Sequence, residues 1–168
     1  MRPWTRVAIL LLCSATSLTA QTADAAFQRL RQLEGKWHGT MQWIGIQPEP
    51  SELDATYSTT GADSAVVENL IVKGKAMMTS VYHLDGNDLR MTHYCAAGNQ
   101  PRLKASRIAD AGVDFSFVDA TNIDKAHPGH VEAVKLRFVS PDQFTIDFTF
   151  GGDGKQRVEH IELKRVKS

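Results

Sequence analysis

Residues 77–95 read MMTSVYHLDGNDLRMTHYC, and their pattern decides the fold. Asp85-Gly86-Asn87-Asp88 is turn chemistry, because Gly, Asn and Asp accept positive φ at low cost. A two-residue loop at Gly86-Asn87 sets Leu84 opposite Leu89, Tyr82 opposite Met91 and Ser80 opposite His93. Side chains alternate along a strand. Those residues therefore share one face with Met78 and Cys95. The other face carries Thr79, Val81, His83, Arg90, Thr92 and Tyr94 and is the more polar, so it is expected to meet water. A slip of one residue would exchange the two faces.

The expected inner face is mostly apolar, with His93, Ser80 and the Tyr82 hydroxyl as its polar groups. Small-molecule sites have this make-up, apolar walls with a few orienting polar atoms. A core histidine that serves only its own hydrogen bonds has the same sequence signature. Cys95 reads the same two ways. A nucleophilic thiolate needs a base or a positive field, and His93 is the near candidate; the alternative is an inert buried thiol.

The rest of the chain repeats the alternation. Trp37–Ile44, Leu53–Thr60, Ala65–Val72, Arg102–Ile108, Val113–Asp119, Val131–Val139, Gln143–Phe150 and Arg157–Arg165 are expected strands. Phe144, Ile146, Phe148 and Phe150 alternate strictly with Thr145, Asp147 and Thr149. Pro48 and Pro50 break the chain after the first strand, and residues 121–129 form a polar loop. One stretch, Ala23–Leu33, has helical spacing at Phe27, Leu30 and Leu33, with Gly35 to end it. About ten short strands with no βαβ pattern predict a mainly β fold, a single antiparallel barrel of eight to ten strands with a short N-terminal helix. Closure is preferred because it removes sheet edges. A barrel of this size is filled by side chains or holds one small ligand.

The chain of 168 residues has room for one domain. Its start, with Arg2 and Arg6, the apolar run Val7–Cys13 and small residues to Ala20, reads as a secretory signal peptide over residues 1–20, with Ala23 or Ala25 as later cleavage positions. The apolar run is too short to span a bilayer, so no stable membrane insertion is expected. The predicted barrel domain is 27–168, in a periplasmic or secreted protein. Lys plus Arg and Asp plus Glu both number 19; loss of Arg2 and Arg6 leaves the remainder slightly acidic. With no basic run, nucleic acid is not an expected partner. Cys95 is left as the only cysteine after removal of Cys13, so no internal disulfide can form.

Gly35-Lys36-Trp37, at the entry to the first strand just after a helix, resembles the start of lipocalins and related calycin barrels. Gly39 is similar to the nitrobindin-like branch and to uncharacterised exported bacterial relatives. Glu68, Thr92-His93-Tyr94-Cys95 and Asn99-Gln100-Pro101 add to the latter likeness. The resemblance implies that Trp37 plugs the closed end of the barrel. From the nitrobindin-like branch it implies heme held by a late histidine, for which His160 and His130 are the candidates by position. From fatty-acid-binding relatives it implies an inward arginine holding a ligand carboxylate, with Arg107 and Arg157 as candidates by parity. If Ile161 and Leu163 face inward, Arg157 and Glu159 do too, and His160 points out.

These readings converge on a barrel for a small apolar or amphipathic molecule, such as a lipid, a fatty-acid-like compound or a porphyrin. Its site would comprise Tyr82, Met91, His93, Cys95, Glu68, Arg107 and Arg157, with Trp37, Phe144, Phe148 and Phe150 as floor and wall. His127 and His130 put two imidazoles in one loop, but no convincing third metal ligand accompanies them. No Gly-x-Ser-x-Gly elbow, His-Glu-x-x-His helix or phosphate loop is present. An acid/base isomerase or lyase using His93 with Glu68 is the alternative, and a filled barrel acting as an envelope interaction module is another.

Overall fold

A computed structural model describes residues 22–46 and 49–167. The expected signal peptide and two residues of the Pro-rich loop, Gln47 and Pro48, lie outside the described residues. Helix α1 (Ala23–Arg31) precedes ten strands: β1 (Gly35–Trp43), β2 (Ser51–Thr60), β3 (Ala65–Val72), β4 (Lys75–Asp85), β5 (Asp88–Tyr94), β6 (Gln100–Ala109), β7 (Gly112–Thr121), β8 (His130–Ser140), β9 (Gln143–Gly151) and β10 (Arg157–Arg165). Each strand pairs with the next, and β10 pairs antiparallel with β1 to close the barrel. The up-and-down order leaves no open edge.

The β4–β5 hairpin has the expected register. Leu84 faces Leu89, Tyr82 faces Met91 and Ser80 faces His93, and Gly86 supplies the positive φ of the turn, 58°. Met78, Ser80, Tyr82, Leu89, Met91 and His93 are all buried. Along β10, Ile161 and Leu163 are fully buried, which turns Glu159 and Arg157 inward and His160 outward.

Arg107 departs from its expected place. The β6–β7 register shifts between Ala105 and Arg107, so Ser106 is an extra residue on β6. Such a bulge reverses the alternation beyond it. Arg107 therefore lies on the outer face opposite Asp114, 3.7 Å from its carboxylate, and does not reach the interior.

Helix α1 covers one end. The Thr22 hydroxyl caps it by accepting from the Ala25 N–H at 3.1 Å. Phe27 and Leu30 are buried against the barrel, and Leu33 follows them. Arg31 pairs with Asp63 beyond β2 at 3.0 Å, and the Arg29 guanidinium lies 4.0 Å from the Phe138 ring. Trp37 seals the same end. Its indole N–H donates to the Leu33 carbonyl at 2.7 Å, its ring meets Phe144 edge-on at 4.6 Å, and Arg165 lies 4.3 Å over it. Trp37 and Phe144 are thus part of the packed, closed half. Gly39 has a steric reason: a Cβ there would stand 1.8 Å from the Glu162 carbonyl oxygen on β10, so only glycine permits this approach of β1 to β10.

Candidate functional site

Four neighbouring strands carry one row of inward polar residues. Tyr57 on β2 is opposite Glu68 on β3, Glu68 is opposite Ser80 on β4, and Ser80 is opposite His93 on β5. Tyr82 adds a second hydroxyl from β4. The Ser80 hydroxyl donates to Glu68 Oε1 at 2.9 Å, and Tyr82 donates to Oε2 at 3.0 Å. Tyr57 donates to Oε2 as well. Burial raises the Glu68 carboxyl above its ordinary range, against the pull of these three hydroxyls. Burial, and then the Glu68 charge, raise both tyrosines well above theirs.

This row fixes the state of the imidazole. Ser80 Oγ lies 3.0 Å from His93 Nδ1. With Glu68 ionised and accepting the single Ser80 proton, the network assigns the hydrogen to Nδ1 and a lone pair to Nε2. His93 is fully buried, and among the described residues Nε2 has no hydrogen-bond partner. Desolvation lowers its pKa to about 4, so the ring is neutral across the physiological range. Phe148 packs against it with ring centres 4.9 Å apart.

Beyond the row, at the end opposite α1, a cavity of about 660 Å³ extends to the loops. Met41, Trp43, Met78, Val131, Phe148 and Phe150 make its apolar wall, and His93, Cys95, Arg157 and Glu159 are its titratable lining. Glu159 is 4% exposed, and among the described residues it has no hydrogen-bond or ion-pair partner. Burial pushes its pKa up to about 7. Cys95 is half-buried and accepts a hydrogen bond from the Ala97 N–H at 3.5 Å. Burial and, further down, the Glu159 charge push its thiol up, which opposes thiolate formation. Arg157 is committed at the mouth to Asp153, at 2.6 Å.

Of the residues picked out from the sequence, His93, Cys95 and Arg157 meet at the cavity, with Phe148 and Phe150 on its wall. Tyr82 and Met91 are fully buried but lie below it, in the packed half. Glu68 stands behind His93 rather than on the wall. Neither histidine considered for heme lines the cavity. His160 is on the outside, 2.5 Å from Asp147. His130 packs against Phe117 at 4.4 Å, donates from Nδ1 to the Pro128 carbonyl at 2.7 Å, and is not on the cavity lining. His127 is exposed beside Asp124. Among the described residues no three His, Cys, Asp or Glu side chains converge on a metal position. The residue that sequence reading left out of the site is Glu159. Its parity with Ile161 and Leu163 was the available signal.

No protein-family model and no curated protein matches the chain. Its structure is similar to that of Rv2717c from M. tuberculosis, with a TM-score of 0.56 and 15% identity, over 84% of this chain and 98% of that one. It is also similar to a DUF3598-family protein of unknown function from Nostoc punctiforme, with a TM-score of 0.53, 12% identity and 82% of this chain covered. The chain spans about half of the latter's length, 49%. At such identities the likeness carries the fold alone: a closed ten-stranded antiparallel barrel with a short helix before the first strand.

Proposed function

We propose that this barrel is an exported binding protein that holds one small, mainly apolar molecule, with a hydrogen-bond donor at the molecule's buried end. The observation that carries the reading is the bare Nε2 of His93, fully buried and without a partner among the described residues, on the lining of an apolar cavity of about 660 Å³. Small-molecule sites run to roughly 300–1,000 Å³ and combine apolar walls with few polar atoms. A buried acceptor left unmade costs about 1–3 kcal/mol, which a ligand hydroxyl or N–H would recover. The leader-like first 20 residues support a periplasmic or secreted setting.

The test is calorimetric titration with 1-octanol. One molecule per chain is expected to bind. Ala97→Trp, at an exposed position on the cavity mouth, is expected to block it, and His93→Phe to weaken it about tenfold by removing the acceptor. No binding, or equal binding by the blocked variant, would contradict the proposal.

The Glu68–Ser80–His93 chain favours a second reading, in which His93 takes a proton from a bound substrate. The lowered pKa of about 4 makes His93 a weak base at neutral pH, so binding is preferred.

A further inference from the structure

The polar atoms in the cavity are unevenly matched to ligands. Those held deep are acceptors: His93 Nε2 has a lone pair and no partner, and Glu159 is a carboxyl with no partner among the described residues. The Cys95 sulfur accepts from the Ala97 N–H, and its S–H is only a weak donor. The guanidinium on the lining, that of Arg157, is at the mouth and is paired with Asp153. An anionic head group entering this space would meet the Glu159 carboxyl with no deep cation among the described residues to offset it. The fatty-acid mode implied by resemblance, with an inward arginine, is therefore disfavoured.

The surroundings of Glu159 are aromatic. Across the barrel ladder it is directly opposite Trp43 on β1 and Phe148 on β9. Phe150 lies beyond, edge-on to Trp43 at 6.3 Å. Phe148 also packs on His93, so one ring adjoins both acceptors. Ring faces attract an organic cation, most strongly where water is excluded. A buried carboxylate without a partner is costly unless a counter-charge arrives.

We infer that the cavity selects lipophilic amines: an ammonium whose N–H donors are taken by Glu159 and His93 Nε2, flanked by Trp43 and Phe148, with its hydrocarbon part along Met41, Met78 and Val131. This rests on the reading of the cavity as a ligand site and adds the charge of the head group. An ammonium ligand would hold Glu159 ionised, where burial alone, with a pKa of about 7, leaves it divided between its two forms at neutrality.

The test compares octylammonium, 1-octanol and octanoate by calorimetry at pH 7.5, so that the hydrocarbon contribution is matched. Octylammonium is expected to bind about tenfold or more tighter than 1-octanol, and octanoate weakest. In Glu159→Gln the advantage of the amine over the alcohol, both measured on the same variant, is expected to fall to within about threefold. Glu159→Asp, which keeps the charge, is expected to retain part of the preference. Circular dichroism checks that both variants are folded. Alcohol binding without an amine preference, tighter octanoate, or a preference that survives in folded Glu159→Gln would overturn this inference alone. If none of the three ligands binds, the ligand-site reading falls with it.

Discussion

Glu68→Ala is expected to lower the free energy of unfolding by roughly 3–5 kcal/mol, read from the urea midpoint. Three hydroxyls, on Tyr57, Ser80 and Tyr82, converge on this one carboxylate. All three residues are at least 98% buried, with exposures of 2%, 0% and 0%, so none can turn to water when the acceptor is removed. Each stranded donor costs about 1–3 kcal/mol, and partial re-pairing among them brings the sum down. Glu68→Gln fills the same volume and keeps one acceptor, so its loss should be about 1–2 kcal/mol. A Glu68→Ala loss below about 1 kcal/mol would mean that the row is not a structural unit.

Glu159→Gln should act in the opposite direction. The Glu159 pKa is raised in the folded chain to about 7, from an ordinary 4.5. Between these values the folded state holds a proton that the unfolded state has released, so stability falls as pH rises through this window and is level above it. Removing the charge relieves up to about 3 kcal/mol at pH 8, and close to nothing at pH 4, where both states are protonated. His93 has the reverse sign. Its pKa is lowered to about 4 from 6.5, so stability is lost as pH falls through that window. Urea titrations of wild type and Glu159→Gln at pH 4 and pH 8 separate the two. Equal stability of the two proteins at pH 8 would show that Glu159 is solvated, and would remove the basis for its role in the cavity.

The barrel was legible because its strands obey two local rules. Turn residues at Asp85–Asp88 fix the hairpin register, and alternation then places Ser80, Tyr82, Met91 and His93 on one face. Alternation gives a face but not a depth. Tyr82 and Met91 share that face with His93, yet they lie toward the end sealed by α1 and Trp37, and the open half begins at His93. Arg107 was misplaced because a bulge at Ser106 leaves no mark on the hydrophobic pattern. The bond of Tyr57 to Glu68 depends on the β2–β3 register. The turn at Gly61–Ser64, with positive φ at Ala62 and Asp63, does not announce that register as Asp-Gly-Asn-Asp does.

The most direct measurement is the ¹⁵N spectrum of the His93 ring, followed by pH titration and addition of 1-octanol. The expected result is a hydrogen on Nδ1, a bare Nε2, no protonation until about pH 4, and a shift of Nε2 alone when the alcohol enters. An imidazole that titrates near its ordinary 6.5, or that is indifferent to the alcohol, would contradict the account.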